Sequence, residues 1–107
     1  MKEPIVEENY LKELHILIVE DLTFMRSFIR TCVEINFPGC LCHEANTGAA
    51  AIDMLQTRPF SIVLCDWELP IRRGDEILQW IREESLSSGV PFIMVTAHNE
   101  AEHILKA

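Results

Sequence analysis

The amino-acid sequence predicts an α/β fold in which a doubly wound parallel sheet carries helices on both faces. Three observations indicate this class. Short apolar runs alternate along the chain with stretches whose apolar residues recur at helical spacing. The runs are uninterrupted, as in strands buried on both faces of a sheet. The connections are brief, so successive strands are expected to be parallel and joined through helices in right-handed crossovers.

The expected order of elements is a strand followed by a helix, repeated four times. The strands are expected at residues 15–19, 40–44, 60–66 and 90–95. The second strand is the least apolar and therefore suits an edge of the sheet. Helix starts are expected at Thr23 (a candidate N-cap), Asn46-Thr47-Gly48, Gly74 and Asn99.

Composition and charge exclude several classes of protein. A chain of 107 residues with 49% apolar content is expected to form one globular domain, residues 15–107, behind an acidic leader, residues 1–14. The formal charge of −8 argues against direct binding of nucleic acid or of anionic lipid. No apolar run is long enough to span a membrane, and the leader lacks the pattern of a signal peptide. We expect a cytoplasmic protein.

The cysteines Cys32, Cys40, Cys42 and Cys65 form no CxxC pair. Cys40-Leu41-Cys42-His43 is a candidate metal clip. Alternation along a strand, however, points Cys40 and Cys42 to the same face, as it does for ordinary packing residues. The structural interpretation is preferred, and disulfides are not expected in a cytoplasmic protein.

Three of the apolar runs end in oxygen-bearing side chains: Glu20-Asp21, Asp66 and Thr96. Because parallel strands end at one edge of a sheet, these groups are expected to converge. Carboxylates held close together require a proton or a cation, and oxygen-only ligands suit Mg²⁺. An aspartate in that setting can attack phosphorus, and Thr96 can donate its hydroxyl to a phosphoryl oxygen. The alternatives are a solvated acidic rim or, for Asp66, a cap on the following helix.

Three segments together resemble the receiver domain of two-component response regulators. They read I-L-I-V-E-D-L-T-F-M-R, I-V-L-C-D-W-E-L-P-I-R-R-G and F-I-M-V-T-A. The spacing fits as well, since Asp66 lies 45 residues after Asp21 and 30 before Thr96. The resemblance covers residues 15–107. It implies a flavodoxin-like receiver fold with strand order 2-1-3-4, in which the family's fifth strand and fifth helix are missing.

The resemblance also implies a function for the acidic cluster. Asp66 would accept a phosphoryl group from a histidine kinase or a phosphotransfer protein. Mg²⁺ would be held directly by Asp21 and Asp66, through water by Glu20, and by the backbone carbonyl of Glu68. The protein would then act as a signalling switch rather than as a turnover enzyme, with a downstream protein or a fused effector domain as its output.

Further roles follow from the same resemblance at the end of the fourth strand. Thr96 would be the switch hydroxyl, and the small Ala97 would leave room for the phosphoryl group. Glu68 and His98 would tune the phosphoryl lifetime by controlling the attacking water. The alternative for His98 is an exposed residue at the start of a helix.

Two features depart from the family pattern. Glu20 replaces the commoner aspartate of the acidic pair, which keeps the charge. No fifth strand follows to supply the family's lysine, and Lys106 falls in the expected fourth helix, so it is not assigned that role. An unpaired fourth strand would favour a homodimer through the strand-4 edge or the helix-4 face.

Two other functions compete with the phosphoryl-accepting switch. One is a receiver-like scaffold that binds proteins without phosphorylation. The other is a phosphohydrolase with an aspartyl nucleophile, which is disfavoured because such a nucleophile usually follows the first strand rather than the third. Arg72-Arg73 could steer a phosphodonor, although a solvated loop pair is the preferred interpretation.

Overall fold

The computed structural model describes residues 14–84 and 89–95 of the chain. Four strands and three helices lie within these ranges, in the alternating order that the sequence predicts. They are β1 (His15–Val19), α1 (Thr23–Asn36), β2 (Leu41–Ala45), α2 (Gly48–Leu55), β3 (Ile62–Cys65), α3 (Gly74–Glu84) and β4 (Phe92–Met94). The helix expected near Asn99 lies outside the described residues, as do Thr96, Ala97, His98 and Lys106.

The four strands form one parallel sheet in the order β2-β1-β3-β4, which confirms the predicted topology. The weakly apolar β2 lies at one edge of the described sheet, as expected. The two apolar strands β1 and β3 lie at its centre, where both faces are covered. β1 has the predicted bounds, β2 lies one residue later than predicted, and β3 and β4 are each three residues shorter than predicted.

The two faces of the sheet carry different helices. On one face Leu17 and Val63 join a fully buried core with residues of α2 and α3, including Leu55 and Ile77. Alternation along β1 places Ile18 on the opposite face, together with its partner in β2, Glu44. Arg26 and Arg30 of α1 bind the Glu44 carboxylate, so α1 covers that second face.

The helix starts were predicted with mixed success. The N-cap of α2 is Thr47, which lies in the predicted start Asn46-Thr47-Gly48, and its hydroxyl accepts a hydrogen bond from the Ala50 N–H at 3.0 Å. Thr23 was wrongly expected to cap α1, because it already lies inside the helix. The N-cap is Leu22, which has an extended backbone and makes no side-chain cap. Its own N–H donates instead to the Glu20 carboxylate.

Among the residues that the structure describes, no helix combines the length and the apolarity needed to cross a membrane.

Candidate functional site: an acidic cluster at the carboxyl edge of the sheet

The backbone of the sheet places two of the predicted acids side by side. The backbone hydrogen bonds of the sheet continue for one residue beyond the ends of β1 and β3. The Glu20 N–H donates to the Ala45 carbonyl at 3.0 Å, and the Asp66 N–H donates to the Val19 carbonyl at 2.9 Å. Because these bonds hold the main chain in extended register, both acids emerge at the same edge of the sheet.

The side chains of Glu20, Asp21 and Asp66 converge as the sequence predicts. Each offers a carboxylate oxygen, and these oxygens all lie within 4.8 Å of one another. Glu20 is only 2% exposed and Asp66 only 4%, whereas Asp21 is half-buried. The cluster is thus largely withdrawn from water but remains open at Asp21. Among the described residues it is the only group of three or more potential metal ligands.

Burial and repulsion from its neighbours perturb the titration of Glu20. Burial, together with the charges of Asp66 and Asp21, raises the pKa of Glu20 to about 7. One contact opposes this effect, since the Leu22 N–H donates to Glu20 Oε2 at 3.0 Å. Three carboxylates therefore share a space in which full ionisation is unfavourable without a cation. The oxygen-only donor set fits Mg²⁺, a hard ion that accepts carboxylate ligands and keeps several waters.

Arg26 supports the acidic loop although sequence reasoning did not single it out. Its Nη1 donates to the backbone carbonyl of Glu20 at 2.9 Å, and its Nε pairs with the Glu44 carboxylate at 2.8 Å. The guanidinium thus ties the loop after β1 to the edge strand β2, while its charge is balanced by Glu44. A basic residue one turn into the helix after the acidic pair was the available signal.

The loop between β3 and α3 is anchored close to Asp66. Leu69 is buried in the core, and the Gly74 N–H donates to the Trp67 carbonyl at 2.9 Å. A Cβ atom on Gly74 would lie 2.7 Å from the backbone oxygen of Asp66, closer than real Cβ contacts. Gly74 therefore permits α3 to start against the main chain of the predicted phospho-acceptor. The sequence showed this glycine only as a sign that a helix begins.

The start of α3 has its own capping contacts. The Arg73 N–H donates to Glu76 Oε1 at 3.0 Å, the return half of a capping box. The Arg73 guanidinium pairs with Asp75 at 2.7 Å on the exposed surface. Arg72 lies with its stem over Gly48 of α2. These exposed, locally engaged arginines agree with the solvated-loop interpretation of the pair.

Ile71 occupies a strained turn in the loop between β3 and α3. The Arg72 N–H donates to the Pro70 carbonyl at 2.7 Å and closes a three-residue turn around Ile71. The φ of Ile71 is +72°, in the left-handed region that a β-branched residue rarely adopts, and its side chain is fully exposed. In the described structure no packing contact of the Ile71 side chain offsets the free-energy cost of this backbone conformation.

Replacing Ile71 with glycine is expected to give the domain a net stabilisation of about 1 kcal/mol, because glycine adopts positive φ without steric cost. This net value allows for the greater entropy of glycine in the unfolded chain, which offsets part of the gain. Ile71→Val is the matched control, since valine keeps the branched Cβ and the strain. Urea unfolding of both variants measures the difference. Equal midpoints for the glycine and valine variants would contradict the strain argument.

The remaining predicted site residues are only partly described. Glu68 follows Asp66 by two residues and is exposed at the rim of the site. Val95 immediately precedes Thr96, and its N–H donates at 2.8 Å to the carbonyl of Cys65, the residue before Asp66. The roles assigned to Thr96, Ala97 and His98 stay predictions, because these residues lie outside the described ranges.

Comparison with known proteins identifies the family to which this chain belongs. The model of the response regulator receiver domain matches residues 16–107. The chain is 32% identical over 97 residues to the chemotaxis protein CheY-3 of Vibrio cholerae, covering 90% of this chain and 73% of that protein. It is 30% identical over 95 residues to the chemotaxis protein CheY of Pseudomonas aeruginosa, covering 88% and 75% of the two chains.

Solved structures agree with this result. The bacteriophytochrome response regulator AtBRR superposes with a TM-score of 0.73 at 26% identity, covering 88% of this chain and 74% of its own. The chemotaxis response regulator CheY4 of Vibrio cholerae gives a TM-score of 0.73 at 22% identity, covering 87% and 76%. With the sheet order, the acidic edge and the family match together, the chain belongs to the response regulator receiver domain family.

Proposed function

We propose that this receiver domain is the phosphoryl-accepting switch of a two-component phosphorelay, with Asp66 as the acceptor. One observation carries the proposal. The carboxylate oxygens of Glu20, Asp21 and Asp66 lie within 4.8 Å of one another at the carboxyl edge of a parallel sheet. A scaffold that only bound proteins would have no need for three crowded carboxylates, two of them buried, and would be more stable without them.

The chemistry assigned to Asp66 is nucleophilic attack. A carboxylate oxygen of Asp66 forms a bond to phosphorus, and the phosphorus–nitrogen bond of a phosphohistidine on a histidine kinase or phosphotransfer protein breaks. The histidine nitrogen leaves with the bonding electron pair. Asp66 is held for this role by its own N–H bond to Val19 and by the close approach of Gly74. The product is an acyl phosphate on the domain.

The residues that would hold Mg²⁺ are Asp21 and Asp66 directly, Glu20 through water, and Glu68 through its backbone carbonyl. When bound, the ion would neutralise charge on the phosphoryl oxygens and on the carboxylates. The Leu22 N–H and the Arg26 contact to the Glu20 carbonyl position the acidic loop for this purpose.

The output of the switch would run through the end of β4. Thr96 would donate its hydroxyl to a phosphoryl oxygen, Ala97 would leave the space for it, and His98 with Glu68 would limit access of water. The bond from Val95 to Cys65 couples this segment to the strand that carries Asp66. The partners would be a histidine kinase or phosphotransfer protein upstream and a downstream protein or fused effector.

Intact mass after incubation with acetyl phosphate tests the proposal. With Mg²⁺ the protein is expected to gain one phosphoryl group, because the small donor needs no partner protein. EDTA and the variant Asp66→Asn are each expected to abolish the gain. Asp53→Asn makes the same chemical change at an exposed position on α2 and is expected to be phosphorylated normally. A folded, Mg²⁺-replete protein that gained no phosphoryl group would favour the phosphorylation-independent scaffold.

A further inference from the structure

Two thiols lie together at the edge of the sheet, far from the acidic cluster. Cys42 belongs to the first half of β2, and Cys40 directly precedes that strand. Their sulfur atoms are 3.9 Å apart, and both residues are half-buried. The acidic cluster stands at the opposite, carboxyl end of the parallel strands, so the two groups of side chains are separate.

The geometry of this pair follows from strand alternation. Residues two apart on a strand point to the same face, so Cys40, Cys42 and Glu44 form a row. Glu44 is held in place by Arg26 and Arg30 of α1. The row therefore lies beneath α1, along a strand with no neighbour on its outer side in the described sheet. The thiols are ordered by the fold yet reachable from solvent.

A disulfide fits this geometry poorly. Two residues along a strand advance about 6.6–6.8 Å, at the upper limit of the Cα separations that disulfides span. The sulfur atoms would also have to close from 3.9 Å to about 2.05 Å. Closing the sulfur atoms to that distance would require both side chains to turn, at a Cα separation that is already at the upper limit for a disulfide.

A metal ion requires a smaller movement of the sulfur atoms. With metal–sulfur bonds of about 2.3 Å, two thiolates on one ion lie roughly 3.8–4.6 Å apart, depending on the coordination angle. The observed 3.9 Å falls within that range but near its bent end, so a linear two-coordinate ion would move the sulfur atoms apart by about 0.7 Å. The described residues place no third ligand group close enough to complete a set of three around these thiols. A pair of soft ligands suits Cu⁺ better than Zn²⁺, which takes four ligands in structural sites.

We propose that Cys40 and Cys42 form a two-thiolate binding site for a soft monovalent metal ion, with Cu⁺ as its representative. Binding replaces the two thiol protons, which are released to solvent, and forms two metal–sulfur bonds. No electron transfer is involved.

The Cys42 thiol stays protonated until a cation displaces its proton. Burial, together with the neighbouring Cys40, raises the pKa of Cys42 to about 12. Two thiolates so close repel one another, and a bound cation removes that repulsion. Arg30, which pairs with Glu44, favours the thiolate of Cys42, whereas Glu34 opposes it. Affinity for the ion is therefore expected to rise with pH, since each ligand must lose a proton.

Anaerobic titration with Cu⁺ in competition with the chromogenic chelator bicinchoninate tests the site on the full chain. We expect one tightly bound Cu⁺ per chain. Cys40→Ser and Cys42→Ser are each expected to lower the affinity at least about tenfold, because outer-sphere changes alone can cost that much. Cys32→Ser, at an exposed cysteine of α1, is the matched control and should bind as the unmodified protein does.

Three results would overturn the proposal. The first is an equal affinity in the Cys40→Ser, Cys42→Ser and Cys32→Ser variants, measured on samples whose circular dichroism shows an intact fold. The second is tighter binding of Zn²⁺ than of Cu⁺. The third is the loss of two hydrogen atoms under mild peroxide together with no Cu⁺ binding by the reduced protein, which would identify a redox pair. Phosphorylation by acetyl phosphate should survive both serine substitutions, so failure here is separate from failure of the proposed switch.

Discussion

Gly74→Ala is expected to lower the free energy of unfolding by roughly 2 kcal/mol, within the range of overpacking substitutions. The added methyl group would meet the Asp66 backbone oxygen at 2.7 Å and the Met94 side chain at 3.1 Å. The methionine can shift, but the carbonyl belongs to the chain that positions the acidic cluster. The loss occurs even though alanine is the better helix former, a preference worth about 1 kcal/mol in the opposite direction.

Two other glycines provide controls for this substitution. A Cβ atom on Gly89 would meet nothing within 4 Å, so Gly89→Ala is expected to change stability by less than about 0.5 kcal/mol. A Cβ atom on Gly48 would meet only side chains, those of Arg72 and Ile77, at 3.0–3.2 Å. Urea unfolding should therefore rank the losses with Gly74 first, Gly48 second and Gly89 last. A Gly74→Ala protein as stable as Gly89→Ala would refute the clash.

Asp66→Asn is expected to stabilise the metal-free protein by roughly 1–3 kcal/mol, the size of one charge interaction at this distance and an intermediate effective dielectric. The substitution removes one of three carboxylates whose oxygens lie within 4.8 Å. Added Mg²⁺ is expected to stabilise the unmodified protein and to stabilise the variant only a little. The order of the two stabilities in EDTA should therefore reverse when Mg²⁺ is present. Thermal unfolding in EDTA and over a series of Mg²⁺ concentrations measures both effects.

The advantage of Asp66→Asn should depend on pH. The pKa of Glu20 is raised from 4.5 to about 7, so the folded protein binds more protons than the unfolded chain between these values. The stability of the unmodified protein therefore falls as pH rises from about 4.5 to about 7, and it levels off above that range. The variant removes one cause of the raised pKa, so its advantage should be larger at pH 8 than at pH 5.

The isosteric control for this experiment is Asp53→Asn, at an exposed position of α2. It is expected to shift stability by less than about 0.5 kcal/mol and to leave the response to Mg²⁺ intact. If Asp53→Asn and Asp66→Asn behaved alike in EDTA, charge crowding at the sheet edge would not be the cause of the gain.

The order and type of the elements could be predicted because the patterns that indicate them lie along the sequence itself. Uninterrupted apolar runs identified the central strands β1 and β3, and weaker apolarity placed β2 at an edge. Parallel pairing then implies that residues following different strands meet, so the convergence of Glu20, Asp21 and Asp66 could be expected from spacing alone. The N-cap at Thr47 was predictable for a similar reason, since it depends only on residues within one turn.

Other features depended on contacts that no local pattern encodes. Thr23 fell inside α1 rather than at its cap, because Leu22 took the extended conformation beside the Glu20 carboxylate. Arg26 reached back to the Glu20 carbonyl across a loop, and Ile71 was left in a strained turn.

Position 74 shows the division most clearly. The sequence marks Gly74 as the start of a helix, but it does not predict that a Cβ atom there would lie 2.7 Å from the Asp66 backbone oxygen. That close approach arises where the start of α3 packs against the chain that follows β3. Periodicity and spacing along the chain determine which elements form and in what order. Close packing between elements decides which atoms touch, because it depends on all of them at once.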